Sequence, residues 1–213
     1  MGKLTSPSAK SRREALLQAA ADVFFEQGYV GTSIDSIIER AGGSKRTIYS
    51  EFGNKEGLFA AIVAENADSA LATLGVDDIS GRSLDETLMT FGLQLMQVYM
   101  SPTVVGIFRI AVTEANRFPE LVRSFYDEGP GRTITRLAEV LQAATKRGEI
   151  ETRDCALAAA HFVALIRGNL HLQVVLGLRL PPEIDEAEAF VRSAVGLFLN
   201  GLRSRGGGDK LGR

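Results

Sequence analysis

The sequence is poor in the residues that build disulfide scaffolds, metal sites and acid–base catalysts. Its 213 residues include one cysteine, Cys155, two histidines and no tryptophan. A single cysteine cannot form an intramolecular disulfide, which favours a reducing compartment and excludes a cysteine-rich metal site. The histidines, His161 and His171, have no carboxylate or second histidine at metal-ligand spacing. We therefore expect no metal and no cofactor.

Long hydrophobic runs and catalytic motifs are missing as well. We find no run of about 18 apolar residues and no signal-peptide core at the N-terminus, so we expect a soluble cytoplasmic protein without a membrane partner. No nucleophile elbow, glycine-rich phosphate loop or zinc signature occurs, so an enzyme is not expected. A cofactor-free helical enzyme, a ligand-carrying helical bundle or a pure dimerisation adaptor remain the alternatives. Salt-sensitive binding to duplex DNA would argue against the first two. The adaptor would leave the exposed Lys45, Arg46, Thr47 and Tyr49 unexplained.

Charge is distributed unevenly along the chain. The formal net charge is −2, so the protein as a whole is not a polybasic nucleic-acid binder. The first 55 residues contain eight basic and six acidic residues, a net charge of +2, which leaves −4 for the remainder. Any DNA-binding surface is therefore a local patch, and the first 55 residues are where it is expected.

Prolines are few, and the apolar residues recur at helical spacing rather than alternating. This pattern predicts an all-α fold of about nine to ten helices, in which an N-terminal three-helix head is joined to a C-terminal helical bundle. The helical pattern divides the chain into residues 1–55, a connecting helix and loop at 56–82, residues 83–205 and a flexible tail at 206–213.

The segment from Thr32 to Phe52 is the most informative part of the sequence. It predicts two short helices joined by a tight glycine turn, the geometry that lets the second helix lie in a DNA major groove while the first supports it. Ile48 and Phe52 are four residues apart and are expected to face inward. The remaining side chains of the second helix then face outward, and they mix cations with hydroxyls, as phosphate and base contacts require. We therefore assign residues 1–55 to a helix-turn-helix DNA-binding domain. The predicted DNA-binding residues are Thr32, Ser33, Ser44, Lys45, Arg46, Thr47, Tyr49, Ser50 and Lys55.

The same region carries a family resemblance. The stretches Phe24–Tyr29, Thr32–Ile34, Ala41–Tyr49 and Phe52–Glu56 resemble the signature of TetR/AcrR transcription regulators, over about residues 11 to 63. The resemblance implies that Lys45, Thr47 and Tyr49 face DNA and that Lys55 meets the DNA backbone. The partners expected are double-stranded operator DNA and a small-molecule effector. Repression is the more common outcome in this family, so we expect a repressor.

The C-terminal part is similar to the AefR-like branch of the same family. The similarity is carried by Phe108–Ile110, Glu114–Ala115, Arg117–Leu121, Phe125–Tyr126 and Gly168–Leu172. The similarity implies that residues 83–205 are a ligand-sensing and dimerisation domain. It further implies a homodimer formed through the last two long helices and a pocket for a small, apolar or aromatic effector. The candidate pocket residues are Met96, Met100, Phe108, Arg109, Phe125, His161, Phe162, Leu165 and Asn169, although the apolar ones fit a plain core equally well. The candidate dimer residues are Leu157, Ala160, Val163, Ala164, Val191, Val195, Phe198 and Leu202.

Overall fold

The computed structural model describes residues 9–72 and 82–202. These residues form ten α-helices and a π-helical turn, with no strand among them, which confirms the all-α prediction. The helices are α1 Ala9–Gly31, α2 Ile34–Ala41, α3 Lys45–Phe52, α4 Lys55–Leu71, α5 Leu84–Met100, α6 Pro102–Glu114, α7 Pro119–Tyr126, α8 Arg132–Lys146, α9 Cys155–Val175 and α10 Ile184–Leu202, and the π-turn is Asp127–Gly131. The predicted tail at 206–213 lies outside the described residues.

Most helix starts follow from local capping chemistry. Ser33, Ser44 and Asp154 each accept a hydrogen bond from a backbone N–H in the first turn of the helix that follows them. Asn54 does the same for α4, since its Oδ1 accepts from Gly57 N at 2.7 Å. Ser83 and Glu86 form the reciprocal capping box that their spacing predicts.

The chain forms two compact units. Of the described residues, unit 1 contains those up to 66 together with 101–130, and unit 2 contains those from 67 to 100 and from 131 onward. The division predicted from the sequence placed α6 and α7 within residues 83–205, whereas in the structure both helices belong to unit 1. Close packing explains this grouping, because a Cβ at Gly106 would lie 2.4 Å from Phe25 Cε1.

Unit 1 has an aromatic core. Gly28 has φ +71, so α1 kinks there and its last turn brings Tyr29 back against Phe24. The two rings stack at 5.6 Å between centroids, and both meet Phe59 of α4 edge to face. Phe118, just before α7, contacts Tyr29 at 5.2 Å. These ring contacts hold α1, α4 and α7 together.

Unit 2 is a bundle of α5, α8, α9 and α10. Phe162 of α9 lies at its centre, with Phe91 at 6.1 Å and Phe198 at 5.0 Å between ring centroids. The helices approach closely, since a Cβ at Gly92 would lie 2.7 Å from Val191 Cγ1. Gly168, with φ +47, interrupts α9 where the ring of Phe190 packs against it.

Candidate DNA-binding site

The helix-turn-helix lies within unit 1. Ser33 begins α2 through a capping box with Ser36, and α2 ends at Gly42. Gly42 and Gly43 have φ values of +74 and +101, a backbone conformation that L side chains rarely adopt. This turn reverses the chain before Ser44 begins α3. The predicted pair of short helices is therefore present.

Helix α3 has a buried inner side and an exposed outer side, as the spacing predicts. Ile48 is 1% exposed, and Phe52 is half-buried against the core of unit 1. Its outer side chains are all exposed: Lys45, Arg46, Thr47, Tyr49 and Ser50. The outer surface combines two cations, hydroxyl groups and one aromatic ring, groups that bind phosphates and base edges.

The first turn of α3 is ordered by hydrogen bonds. The hydroxyls of Ser44 and Thr47 lie 3.0 Å apart, and Thr47 N donates to Ser44 Oγ. Lys45 Nζ lies 2.8 Å from Asp35 Oδ1 of α2, and this hydrogen bond raises the pKa of the lysine. Lys45 is thus fully charged at neutral pH and is held beside the turn rather than extended freely.

Thr32 departs from its predicted role. Its side chain is 3% exposed, and its hydroxyl donates to Gly28 O at 2.8 Å and to Val23 O at 3.3 Å. A buried hydroxyl that bonds the end of α1 cannot face DNA, so the prediction is wrong for this side chain. Thr32 instead joins α1 to the start of α2.

Lys55 also departs from its predicted role. Its ammonium donates to Tyr29 O at 2.7 Å and to Thr32 O at 3.0 Å, and it lies 4.4 Å from the centroid of the Tyr29 ring. Burial lowers the pKa of Lys55 and raises that of Tyr29. Lys55 is neither a free surface lysine nor a side chain extended towards DNA. It links the start of α4 to Tyr29 in the last turn of α1 and to Thr32, between α1 and α2.

Replacing Lys55 by methionine tests this internal role. We expect Lys55→Met to lower the free energy of unfolding by about 1–2 kcal/mol, because two carbonyls lose a charged donor. Urea unfolding measures this loss, and Lys146→Met, which removes an exposed lysine of α8, is the control. The salt dependence of DNA binding should stay the same in Lys55→Met. If the slope of log affinity against log salt concentration became shallower by about 1, Lys55 would contact a DNA phosphate after all.

A cleft of about 670 Å³ lies beside α3 in unit 1, between α1 and the glycine turn. Its walls include Arg12, Arg13, Gly43, Ser44, Thr47 and Glu51. Sequence reasoning did not select the arginines of α1 or Glu51, because charged residues on a helix ordinarily indicate only a solvated face. Their proximity depends on how α1 packs against α3, and no local pattern encodes it.

The predicted effector-pocket residues are distributed over both units. Met96, Met100 and Phe162 are buried in unit 2, whereas Phe108 and Phe125 belong to unit 1, where their rings lie 6.1 Å apart. The remaining members are exposed to differing degrees: Arg109, His161, Leu165 and Asn169. For the three polar residues, the prediction that they line an enclosed pocket is wrong, because their side chains lie on the surface of α6 and α9.

The predicted dimer residues divide into two groups. Leu157 and Ala164 are exposed, and Ala160 and Leu202 are intermediate. Four others are buried within unit 2 itself: Val163, Val191, Val195 and Phe198. The prediction is wrong for these four, because side chains that fill the core of one chain cannot also cover a second chain.

Large apolar residues of unit 2 are exposed on α9, on α10 and on the segment between them. Leu197 of α10 is 67% exposed, and Leu180, between α9 and α10, is 83% exposed. We call the whole set the leucine surface: Leu157, Leu165, Leu172, Leu176, Leu178, Leu180, Ile184 and Leu197. Of these, Leu157 is a predicted dimer residue. Exposed apolar residues that form a contiguous patch are typical of interaction surfaces.

An exposed polar helix, set behind a glycine turn and supported by a capped partner helix, defines a helix-turn-helix DNA-binding regulator. Comparison with known proteins gives the family. Residues 16–62 match the model described as bacterial regulatory proteins, tetR family, and residues 86–201 match that described as AefR-like transcriptional repressor, C-terminal domain. The chain belongs to the TetR family, and it is therefore a transcription regulator and not an enzyme.

Relatives align over the whole chain or over the head alone. The flavonoid-responsive regulator FrrA is 36% identical over 92% of this chain and all of its own, with a TM-score of 0.72. A TetR-family protein of Mesorhizobium loti MAFF303099 is 27% identical over 93% of this chain and all of its own, with a TM-score of 0.77. The transcriptional repressor ComR of Escherichia coli K12 is 41% identical over 56 residues, which make up 26% of this chain and 27% of ComR.

Proposed function

We propose that this regulator is a cytoplasmic repressor that binds a pseudo-palindromic operator as a homodimer and is released by a small apolar or aromatic effector. The observation that carries the DNA-binding part is the outer side of α3. It presents Lys45, Arg46, Thr47, Tyr49 and Ser50 to solvent while Ile48 anchors the helix. The N-caps Ser33 and Ser44 are exposed as well, so their side chains can add phosphate contacts.

The homodimer is supported by the leucine surface. By length and composition α9 could also cross a membrane, but Arg167 and the two histidines lie within it. A second copy of the chain is the better cover for this surface, since it would bury the leucines without also burying a cation in lipid. Two-fold symmetry would then place two α3 helices on a pseudo-palindrome, with half-sites about 34–36 Å apart or a multiple of that distance.

The proposed effector class is supported by composition and by one relative. FrrA is named for its response to flavonoids, which are aromatic compounds. The cores of both units are rich in aromatic and aliphatic side chains, a composition suited to ligands of that kind. An effector that binds the DNA-free state more tightly than the DNA-bound state would lower the affinity for the operator. The size of the decrease is set by the difference between the two effector affinities.

Selection of duplexes from a randomised pseudo-palindromic library tests the DNA-binding proposal. We expect the full-length protein to enrich one duplex, with an affinity that falls steeply as salt rises, because phosphate contacts release counterions. Lys45→Ala should weaken binding to all sequences and reduce the salt slope by about 1. Lys146→Ala, in unit 2, is the matched control and should change neither quantity. Failure to enrich any duplex would refute the proposal.

A further inference from the structure

Arg13 of α1 binds two other helices of unit 1 at once. Its Nε lies 3.1 Å from Glu51 Oε1 in the last turn of α3, and its Nη1 donates to Glu65 Oε2 of α4. The guanidinium carbon also lies 5.8 Å from the centroid of the Phe52 ring. One side chain therefore links the C-terminal end of α3 to the middle of α4.

Helix α3 has few other attachments to the rest of unit 1. It is eight residues long, and Ile48 is its only fully buried residue. The glycines on either side, Gly43 and Gly53, both have positive φ, so the helix is bounded by sharp turns at its two ends. Its N-terminal end contacts α2 through Lys45 and Asp35, and its C-terminal end is held by the half-buried Phe52 and by the contact of Glu51 with Arg13.

We propose that Arg13 is a positioning residue that holds α3 in the orientation with which it meets DNA. It does so by joining Glu51, in the last turn of α3, to Glu65 of α4. The inference rests on the proposed DNA-binding function and names a residue outside α3 on which that function depends.

Simple electrostatics and this positioning role predict opposite signs for one substitution. Removing a carboxylate from a DNA-binding unit makes the unit more positive, which should strengthen its attraction to phosphates. If Glu51 and Glu65 orient α3 through Arg13, their removal should instead weaken binding to the operator. Glu51→Gln and Glu65→Gln keep the size of the side chain, so they change the charge with little other disturbance.

The experiment measures the affinity of the folded full-length variants for the duplex selected by the wild-type protein and for a scrambled duplex. We expect Glu51→Gln, Glu65→Gln and Arg13→Gln each to bind the selected duplex roughly two- to fivefold more weakly, as suits a partly exposed ion pair. Arg13→Lys should recover part of the loss. Arg13→Gln/Glu65→Gln should bind no more weakly than Arg13→Gln alone, because both changes break one link. Glu39→Gln, which removes an exposed carboxylate of α2, is the control and should not weaken binding.

Glu51→Gln and Glu65→Gln variants that bind the selected duplex as tightly as Glu39→Gln would overturn the proposal, and so would additive losses in the double variant. Amide hydrogen exchange of residues 45–52 is an independent measurement that requires no DNA. It should be faster in Glu65→Gln than in Glu39→Gln, because α3 loses its distal attachment. Equal exchange rates in the two variants would contradict the positioning role of Arg13. Failure to select any duplex would instead refute the DNA-binding function, and the exchange measurement would still test the positioning role.

Discussion

Leu197→Arg is expected to convert the protein into a monomer and to reduce its affinity for the operator by about 10²-fold or more. The affinity falls because one head alone forfeits the gain from binding two half-sites at once. Leu197 is 67% exposed on α10, so the arginine should not disturb the core of unit 2. Within the proposed dimer, however, the added charge would be buried without a partner, which opposes association. Light scattering at micromolar concentration measures the oligomeric state, and titration with the selected duplex measures the affinity.

Val112→Arg is the matched control for this prediction. Val112 is 63% exposed on α6 in unit 1, outside the leucine surface. This variant should remain dimeric and bind the selected duplex as the wild-type protein does. If Leu197→Arg stayed dimeric while Val112→Arg dissociated, the interface would lie on unit 1.

Substitutions at Arg46 and Thr47 are expected to change which base pairs the protein prefers. Both side chains are exposed on the first turns of α3, the part of a recognition helix that reaches base edges. Loss of a side chain that reads a base should cost about 1–3 kcal/mol at that base pair and relax the preference there. Repeating the duplex selection with Arg46→Ala and Thr47→Val shows the altered position in the enriched sequences.

Two controls separate base reading from general attraction. Lys45→Ala should weaken binding to all duplexes alike, as a phosphate contact does. Arg123→Ala removes an exposed arginine of α7 and should leave the selected sequence unchanged. If Arg46→Ala and Thr47→Val both selected the wild-type sequence, neither side chain would be a base reader.

Features encoded by a few neighbouring residues could be read from the sequence. The N-caps at Ser33, Ser44 and Asn54 are features of this kind, because capping requires only a polar side chain at one position beside a helix start. The two sides of α3 were predicted because Ile48 and Phe52 are one helical turn apart. In each case the determining residues lie within one turn of each other.

Features that depend on distant parts of the chain could not be read in this way. Lys55 reaches carbonyls 26 and 23 residues before it, and helical periodicity contains no information about such a contact. The dimer prediction failed at Val191, Val195 and Phe198 for a related reason. Apolar spacing shows that a helix has an apolar side, but it does not show whether that side covers its own chain or another.

Within α3, the residues that hold the helix are distinct from those that face outward. Ile48, Glu51 and Phe52 attach it to unit 1, while Gly43 and Gly53 set its two ends. The five side chains on its outer side are exposed, so none of them fills the core of unit 1. After gene duplication, the outer residues of segment 45–52 can therefore be substituted while the fold of unit 1 is retained. Daughter proteins could then acquire new operators while the three attachment residues and the two glycines stay as they are.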